Sequence, residues 1–365
     1  MEQVNIFSGS TPFKVDKPIR LIELFAGIGA QAKALERLGV EFEHYRICEF
    51  DKYAVISYNA VHKTNFDTSD ITKITADDLA IVDTDTYCYI MTYSFPCQDL
   101  SVAGKQMGME KGSNTRSGLL WEVERLLDEC TELPQVLLME NVTQVHGKKN
   151  IDCFNQWCDK LESLGYKNYW KDLNAKDFGV PQNRNRTFMV SLLGDYKYEF
   201  PEGFPLEARL SDLLEVDVDE RYFLSSTAVE KITRHKNKII ENDTPDISST
   251  IHAGYYKMGG RDQQYVKIKI WDGFNQRVRV DSNVVGTLTQ NCGADLKRNG
   301  QGIIYCSDDG EMIRNLTPKE CWRLMGFTDE DFERAEAVNS KTQLFKQAGN
   351  SICAPVLMAI FKNLF

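Results

Sequence analysis

Apolar and polar positions follow two different rhythms over the first two hundred residues. Short apolar runs, IRLIELF, HYRICEF, YCYIMTYSFP and QVLLMEN, are followed by longer amphipathic stretches, QAKALERLG, DKYAVISYNAVH, SGLLWEVERLLDEC and FNQWCDKLESLG. Strands of roughly five to eight residues separated by helical patterns predict a doubly wound, mostly parallel α/β sheet. Two more β-like runs follow, YWKDLNA and RTFMVSLL. Beyond about Gly194 the alternation gives way to turn-rich pieces such as ENDTPDISST, YYKMGGRDQQ and NCGADLKRNGQG, which predict a smaller domain of short strands and loops. RNLTPKECWRLMGF and QAGNSICAPVLMAIFKNLF then return to helical periodicity. The expected division is 1–193, 194–313, and a segment 314–365 that comes back to complete the first domain.

Composition adds limits. A chain of 365 residues, 42% hydrophobic, can bury a full core. No apolar run approaches the length of a bilayer crossing, and MEQVNIFSGS lacks a signal-peptide pattern, so a soluble, unsecreted protein without a membrane role is expected. The ten cysteines form no CxxC pair and read as reduced thiols. Cys153 and Cys158 lack a second Cys/His pair nearby, and no metal site is expected. The net charge of −10 argues against nonspecific polyanion binding. The charge is uneven, however: residues 221–300 carry 13 Lys/Arg against 8 Asp/Glu, and the remainder 30 against 45, so a nucleic-acid face can be local.

Candidate chemistry sits at the ends of the predicted strands. In LIELFAGIGA an apolar strand runs into Gly27 and Gly29 just before a helix, where glycines let the backbone turn sharply and approach a ligand. Glu49 ends the next apolar run, where a carboxylate can accept both ribose hydroxyls of a nucleoside-bearing cofactor, and Phe50 beside it can stack on a base. These residues alone do not separate NAD, FAD and S-adenosylmethionine. SFPCQDLS places Cys97 after a proline at the end of a buried strand. A thiolate there can add to carbon 6 of a pyrimidine and make carbon 5 nucleophilic toward a methyl sulfonium. MENV brings Glu140 to the next strand end, able to hydrogen-bond ring nitrogen 3 and the exocyclic amine. PQNRNR supplies Arg184 and Arg186, which share a face if that stretch is a strand, for phosphate or the ring carbonyl. The long loop from Gln98 to Ser117, with Lys105 and Lys111, reads as a lid.

In this order the motifs closely resemble those of the cytosine-5 DNA methyltransferase family. LFAGIGA is similar to its cofactor motif, CEFD to its ribose motif, SDIT to its adenine-contact motif and SFPCQDLS to its nucleophile motif. RSGLLWEVERLL resembles the helix lining the cofactor, MENV the glutamate motif, PQNRNR the arginine motif, RNLTPKECWRLMGF the motif after the recognition domain, and QAGNSI the closing motif. The likeness covers about Leu21 to Leu193 and Arg314 onward, leaving Gly194 to Ile313 as a target-recognition domain.

The resemblance implies Cys97 as nucleophile, Glu140 engaging ring nitrogen 3, and Arg184 and Arg186 supporting the pocket. For the cofactor S-adenosylmethionine, with S-adenosylhomocysteine as product, it implies Phe25, Ala26, Gly27, Ile28, Gly29, Glu49, Phe50, Asp70, Ile71, Pro96, Leu119, Asn350 and Ser351. The expected partner is double-stranded DNA bound by a monomer, in the cytoplasm of a bacterium or of a phage host, within or apart from a restriction-modification system. Glu23, Ala30 and Ser94 stand where the family more often has Asp, Gly and Gly, changes that bear on affinity rather than reaction type. The tRNA-methylating branch typically carries Cys-Phe-Thr in its recognition region, and residues 194–313 contain none. A catalytically silent DNA-binding relative would tend to lose the cysteine, glutamate or arginines, and a Rossmann oxidoreductase would leave this set unexplained.

Overall fold

The structure is a computed structural model that describes residues 11–97, 100, 108–112, 115–223 and 312–365, with short pieces at 225, 239–240, 248–251, 253, 255, 265–268, 270–272 and 277–279. Six strands form the central sheet: β1 (Ile19–Leu24), β2 (Phe42–Cys48), β3 (Cys88–Tyr93), β4 (Val136–Asn141), β5 (Tyr166–Asn174) and β6 (Asn185–Leu193). Their spatial order is β2-β1-β3-β4-β6-β5. The first four run parallel, while β6 runs antiparallel to both of its neighbours. The chain leaves β1 in one direction to reach β2 and in the other to reach β3. That reversal opens a crevice at the carboxyl ends of β1 and β3, where doubly wound sheets bind ligands.

Helices α1 (Ala30–Arg37), α2 (Lys52–His62), α3 (Leu120–Glu129) and α4 (Ile151–Ser163) connect these strands. The inner strands β1, β3 and β4 are buried on both faces, and side-chain alternation sends successive residues to two different cores. Leu21, Ile90, Val136 and Leu138 join the first, with Leu35 of α1. Ile22, Met91, Leu137 and Met139 join the second, with Trp121 and Leu126 of α3 and Trp157 of α4. This is the doubly wound, mostly parallel α/β fold expected from the apolar pattern.

The C-terminal segment supplies α5 (Pro318–Arg323), α6 (Asp329–Glu336), α7 (Lys341–Asn350) and α8 (Ala354–Lys362). Helix α8 packs on α1, α6 on α2, and α7 on α5. Thr317 with Glu320 and Thr328 with Asp331 form the capping boxes that start α5 and α6. Helix α6 falls in TDEDFERAE, a charged stretch between the two helical patterns of the C-terminal segment. Lys341–Lys362 does reach bilayer-crossing length and composition, contrary to expectation, but 67% of its most apolar window is buried inside the protein and the backbone breaks helix at Ser351–Cys353. It is a core element. Packing does not stop at Gly194 either: Tyr198, Leu210, Tyr222, Ile251 and Tyr255 all enter the first core. Much of the Gln98 to Ser117 loop and most of residues 224–311 in the expected recognition domain lie outside the described residues.

Candidate active site

After Tyr93 the chain leaves the sheet as Ser94–Phe95–Pro96–Cys97, and three hydrogen bonds hold its course. Asn141 Nδ2 donates to the Phe95 carbonyl (3.0 Å), Ser117 Oγ donates to the Pro96 carbonyl (2.7 Å), and Leu100 N–H donates to the Cys97 carbonyl (3.0 Å). Cys97 is half-buried on this turn. Glu140, the penultimate residue of β4, is only 8% exposed and lies opposite Phe188 of β6. Arg186, two residues before Phe188, therefore projects to the same side of the sheet. Its Nε stands 3.3 Å from Glu140 Oε1, an ion pair without hydrogen-bond alignment, since that buried oxygen has no hydrogen-bond partner.

Arg184 departs from the sequence reading. It lies outside β6, between Gln182–Asn183 and Asn185, and is 4% exposed. Nη1 donates to the Ile251 carbonyl (3.0 Å), and Nη2 to the carbonyls of Ser351 (2.6 Å) and Gly349 (3.4 Å). A guanidinium so committed is not free for phosphate; it ties three distant segments together behind the pocket. Gln182 completes the clamp, because its Oε1 accepts the Ile251 N–H (3.1 Å) while its Nε2 donates to the Leu324 carbonyl (2.7 Å).

The charges in this cluster act on one another. Burial pushes the Cys97 thiol up, Glu140 pushes it further, and Arg186 and Arg184 oppose both. Burial likewise raises the Glu140 carboxyl against the pull of the two arginines. Arg184 is brought down to about 9 by burial and by Arg186, so it stays charged at neutral pH. Two potential anions thus share two cations in a largely buried cluster. One of them is readily accommodated, and the second costs more.

The other half of the crevice is built from backbone. Phe25, Gly27 and Gly29 all have positive φ (57°, 57° and 77°). A Cβ on Gly29 would collide with His62 Nε2 and stand 2.7 Å from Tyr58 Cε2, whereas a Cβ on Gly27 would meet nothing within 4 Å. Gly29 is therefore demanded by the packing beneath the turn, and Gly27 leaves open space above it. Glu49 Oε2 accepts the Gly27 N–H (2.9 Å) and Oε1 the Asp51 N–H (2.8 Å), which hold the carboxylate at the rim although burial pushes its pKa up. Phe50 is 77% exposed, an unpartnered ring beside that carboxylate. Ala26 N–H donates to the Cys48 carbonyl (3.2 Å), joining this turn to β2.

The remaining candidates divide by where their side chains go. Ile28 and Ile71 bury theirs in the first and second cores, so they face a ligand only through backbone. Asp70 accepts the N–H (3.1 Å) and hydroxyl (2.8 Å) of Thr72, which hold its carboxyl below the ordinary range. Ser69 N–H bonds the Glu49 carbonyl (3.0 Å), and Arg125 Nη2 of α3 donates to the carbonyls of Ile71 and Ile74 (both 2.9 Å), fixing that turn beside the carboxylate. Pro96 is half-buried in the cysteine turn, and Leu119 packs on the second core just before α3. Asn350 is exposed at the end of α7, and Ser351 is buried with its carbonyl on Arg184.

A family model described as C-5 cytosine-specific DNA methylase matches residues 19–365. The chain belongs to the C-5 cytosine-specific DNA methylase family. It is 32% identical to the type II methyltransferase M2.ScrFI of Lactococcus lactis subsp. cremoris, over 95% of this chain and 99% of the relative. It is also 32% identical to the orphan methyltransferase M.SssI of Spiroplasma monobiae, over 95% and 97%. Among solved structures, the Entamoeba histolytica methyltransferase EhMeth superposes with a TM-score of 0.72 at 19% identity, covering 96% of this chain and 98% of that one. The S. pombe Dnmt2 methyltransferase gives 0.68 at 21%, covering 94% and 97%. The chain is a DNA (cytosine-5) methyltransferase.

For this methylase, residue-type reasoning singled out the reactive groups but not their supports. Asn141, Ser117, Gln182 and Arg125 all went unremarked as functional side chains. Asn141 and Gln182 carry a local signal, each sitting inside a quoted motif next to or two residues from a charged candidate. The bonds that give them a role join positions 21 to 142 residues apart.

Proposed function

We propose that this methyltransferase moves a methyl group from S-adenosylmethionine to carbon 5 of a cytosine flipped out of a specific duplex sequence, through a covalent adduct with Cys97. The observation that carries this reading is the electrostatic cluster of Cys97, Glu140, Arg184 and Arg186 at the same sheet edge as the open turn at Gly27. The open space over Gly27, the rim carboxylate of Glu49 and the bare ring of Phe50 fit a nucleoside-bearing cofactor. In that fit Glu49 takes the ribose hydroxyls and Phe50 the adenine, while the 25–29 turn, Asp70, Ile71, Pro96, Leu119, Asn350 and Ser351 complete the lining. When bound, the cofactor supplies an electrophilic methyl group on a sulfonium.

Stacking shields carbon 6 inside B-form DNA, so the base must leave the helix at a cost of roughly a few kcal/mol. The shared-cation arrangement then favours one anion and one acid. With Glu140 protonated and bonded to ring nitrogen 3, Arg184 and Arg186 are left to stabilise the Cys97 thiolate. The thiolate adds to carbon 6, and carbon 5 forms a bond to the methyl carbon as the carbon–sulfonium bond breaks. Loss of the carbon 5 proton to solvent expels Cys97 and restores the ring. Residues 194–313 act as the recognition domain, the C-terminal segment completes the catalytic domain, and the protein works as a monomer on DNA. Incubation with a tritiated methyl donor tests the reading: label should enter duplex DNA and not tRNA. Label in tRNA alone would reject DNA as its substrate.

A further inference from the structure

Beneath the cofactor turn lies a cluster of side chains for which the methyl-transfer reading has no use. Glu36 comes from α1, His44 from β2 and His62 from α2, and one ligand atom from each lies within 4.8 Å of the others. His62 Nδ1 is 2.6 Å from Glu36 Oε1, and His44 Nε2 is 3.6 Å from the same oxygen. The outward nitrogens are both engaged. His62 Nε2 faces the Ile28 carbonyl at 3.1 Å, and a carbonyl only accepts, so this nitrogen carries hydrogen. His44 Nδ1 is 3.0 Å from the Tyr58 hydroxyl, whose own hydrogen goes to Glu23 Oε2 at 2.5 Å, so this nitrogen donates as well.

With those protons outward, His44 Nε2 presents its lone pair toward Glu36 Oε1, while His62 Nδ1 meets the same oxygen at hydrogen-bond distance. A metal ion bound among the three atoms would take the place of the hydrogen in that bond. Outward N–H groups held by a carbonyl and a hydroxyl are how metal-binding imidazoles are oriented. We propose that Glu36, His44 and His62 bind one divalent transition-metal ion of the zinc class, with a fourth position open beside the partly exposed Glu36.

The surrounding charges suit this. Lys33 Nζ takes the other Glu36 oxygen (2.5 Å) and is balanced by Asp331 Oδ1 (2.8 Å), which leaves Oε1 for the ion. Glu23 lies behind Tyr58, pushed up by burial to about 7. Ligand atoms on a tetrahedral ion with bonds of about 2.0–2.1 Å stand about 3.3 Å apart, so the 2.6 Å His62–Glu36 contact must open and the two histidines, within 4.8 Å, must draw in around the ion. An ion here would brace the Ile28–Gly29 turn through His62. The sequence shows no metal motif, because the ligands are separated by 8 and 18 positions on three elements that only the fold brings together.

Co2+ is a direct probe. Chelator-treated wild-type protein should bind one equivalent and develop visible d–d absorption, without the intense near-ultraviolet band that cysteine ligation would add. His44→Gln, on the less buried histidine, and Glu36→Gln should each weaken binding about a hundredfold or more, while circular dichroism confirms that both remain folded. Wild-type protein that takes up no stoichiometric Co2+ would overturn the site and leave a proton on His62 as the cation. Thiolate-type spectra, or binding undiminished in both variants, would equally overturn it.

Discussion

The two halves of the crevice are held in different ways. On the β1–β2 side the ligand-facing groups are fixed by main chain: positive-φ residues at 25, 27 and 29, and a Glu49 carboxylate bonded to two backbone N–H groups. On the β3–β4 side the Asn141 and Ser117 side chains hold the Cys97 turn, the Arg184 guanidinium reaches carbonyls far along the chain, and the buried Glu140 Oε1 and Arg184 Nε have no hydrogen-bond partner among the described residues. On the proposed reading the first half is the cofactor surface, with its polar groups already satisfied. The second holds polar groups in reserve, as a site does when its partners form during the reaction. Rigidity and affinity should therefore follow the first half, and rate and proton balance the second.

The largest expected effect belongs to the second half. Glu140→Gln should slow methyl transfer by about two to four orders of magnitude while cofactor affinity stays as in wild type, measured by single-turnover kinetics and calorimetry. A rate near wild type would remove Glu140 from the chemistry.

Next come the glycines, which separate folding from binding within the first half. Gly29→Ala should lower unfolding free energy by about 2–4 kcal/mol, since the new methyl collides with His62 and Tyr58 at a strained φ. Gly27→Ala should cost only about 1 kcal/mol, for φ alone, yet weaken cofactor binding because its methyl enters the open space. Denaturant titration and calorimetry on both variants would show whether the two glycines differ as described.

Arg184→Met should raise KM for DNA and cofactor together, by roughly tenfold. The carbonyls it leaves unpaired belong to Ile251, Gly349 and Ser351, and a buried unsatisfied acceptor costs about 1–3 kcal/mol. Loss of only one of the two affinities would contradict its part as a tie between segments.

The two halves were also unequally legible in the sequence. Gly27, Gly29 and Glu49 lie within one strand–helix–strand unit, so a local pattern carried the fold and the juxtaposition of the glycine turn with the carboxylate. Cys97 and Glu140 showed as reactive types at strand ends. Arg184 shares a face with Arg186 only if both lie on a strand, and that condition fails: Ile251 and the 349–351 backbone hold Arg184 outside it. Pairings between segments 67 and 167 positions apart leave no periodic trace. Helix α6 was passed over for a related reason, because its burial against α2 rests on few apolar residues, Phe332 and Ala335 among them.

The smallest effect is a titration. Glu140 raises the Cys97 pKa, so Glu140→Gln should move it down and the thiolate should appear at lower pH; Arg186→Ala removes an opposing cation and should move it up. Rates of iodoacetamide alkylation against pH would report both directions, and an unmoved or reversed pair would break the shared-cation picture.

The central claim, covalent attack by Cys97 on a flipped cytosine, is tested most directly with duplex DNA carrying 5-fluorocytosine at the target position. Fluorine replaces the proton whose loss releases the enzyme, so a denaturation-resistant protein–DNA complex should accumulate when S-adenosylmethionine is present and be absent in Cys97→Ala. A complex formed by Cys97→Ala, or none formed by the wild-type protein, would contradict the account.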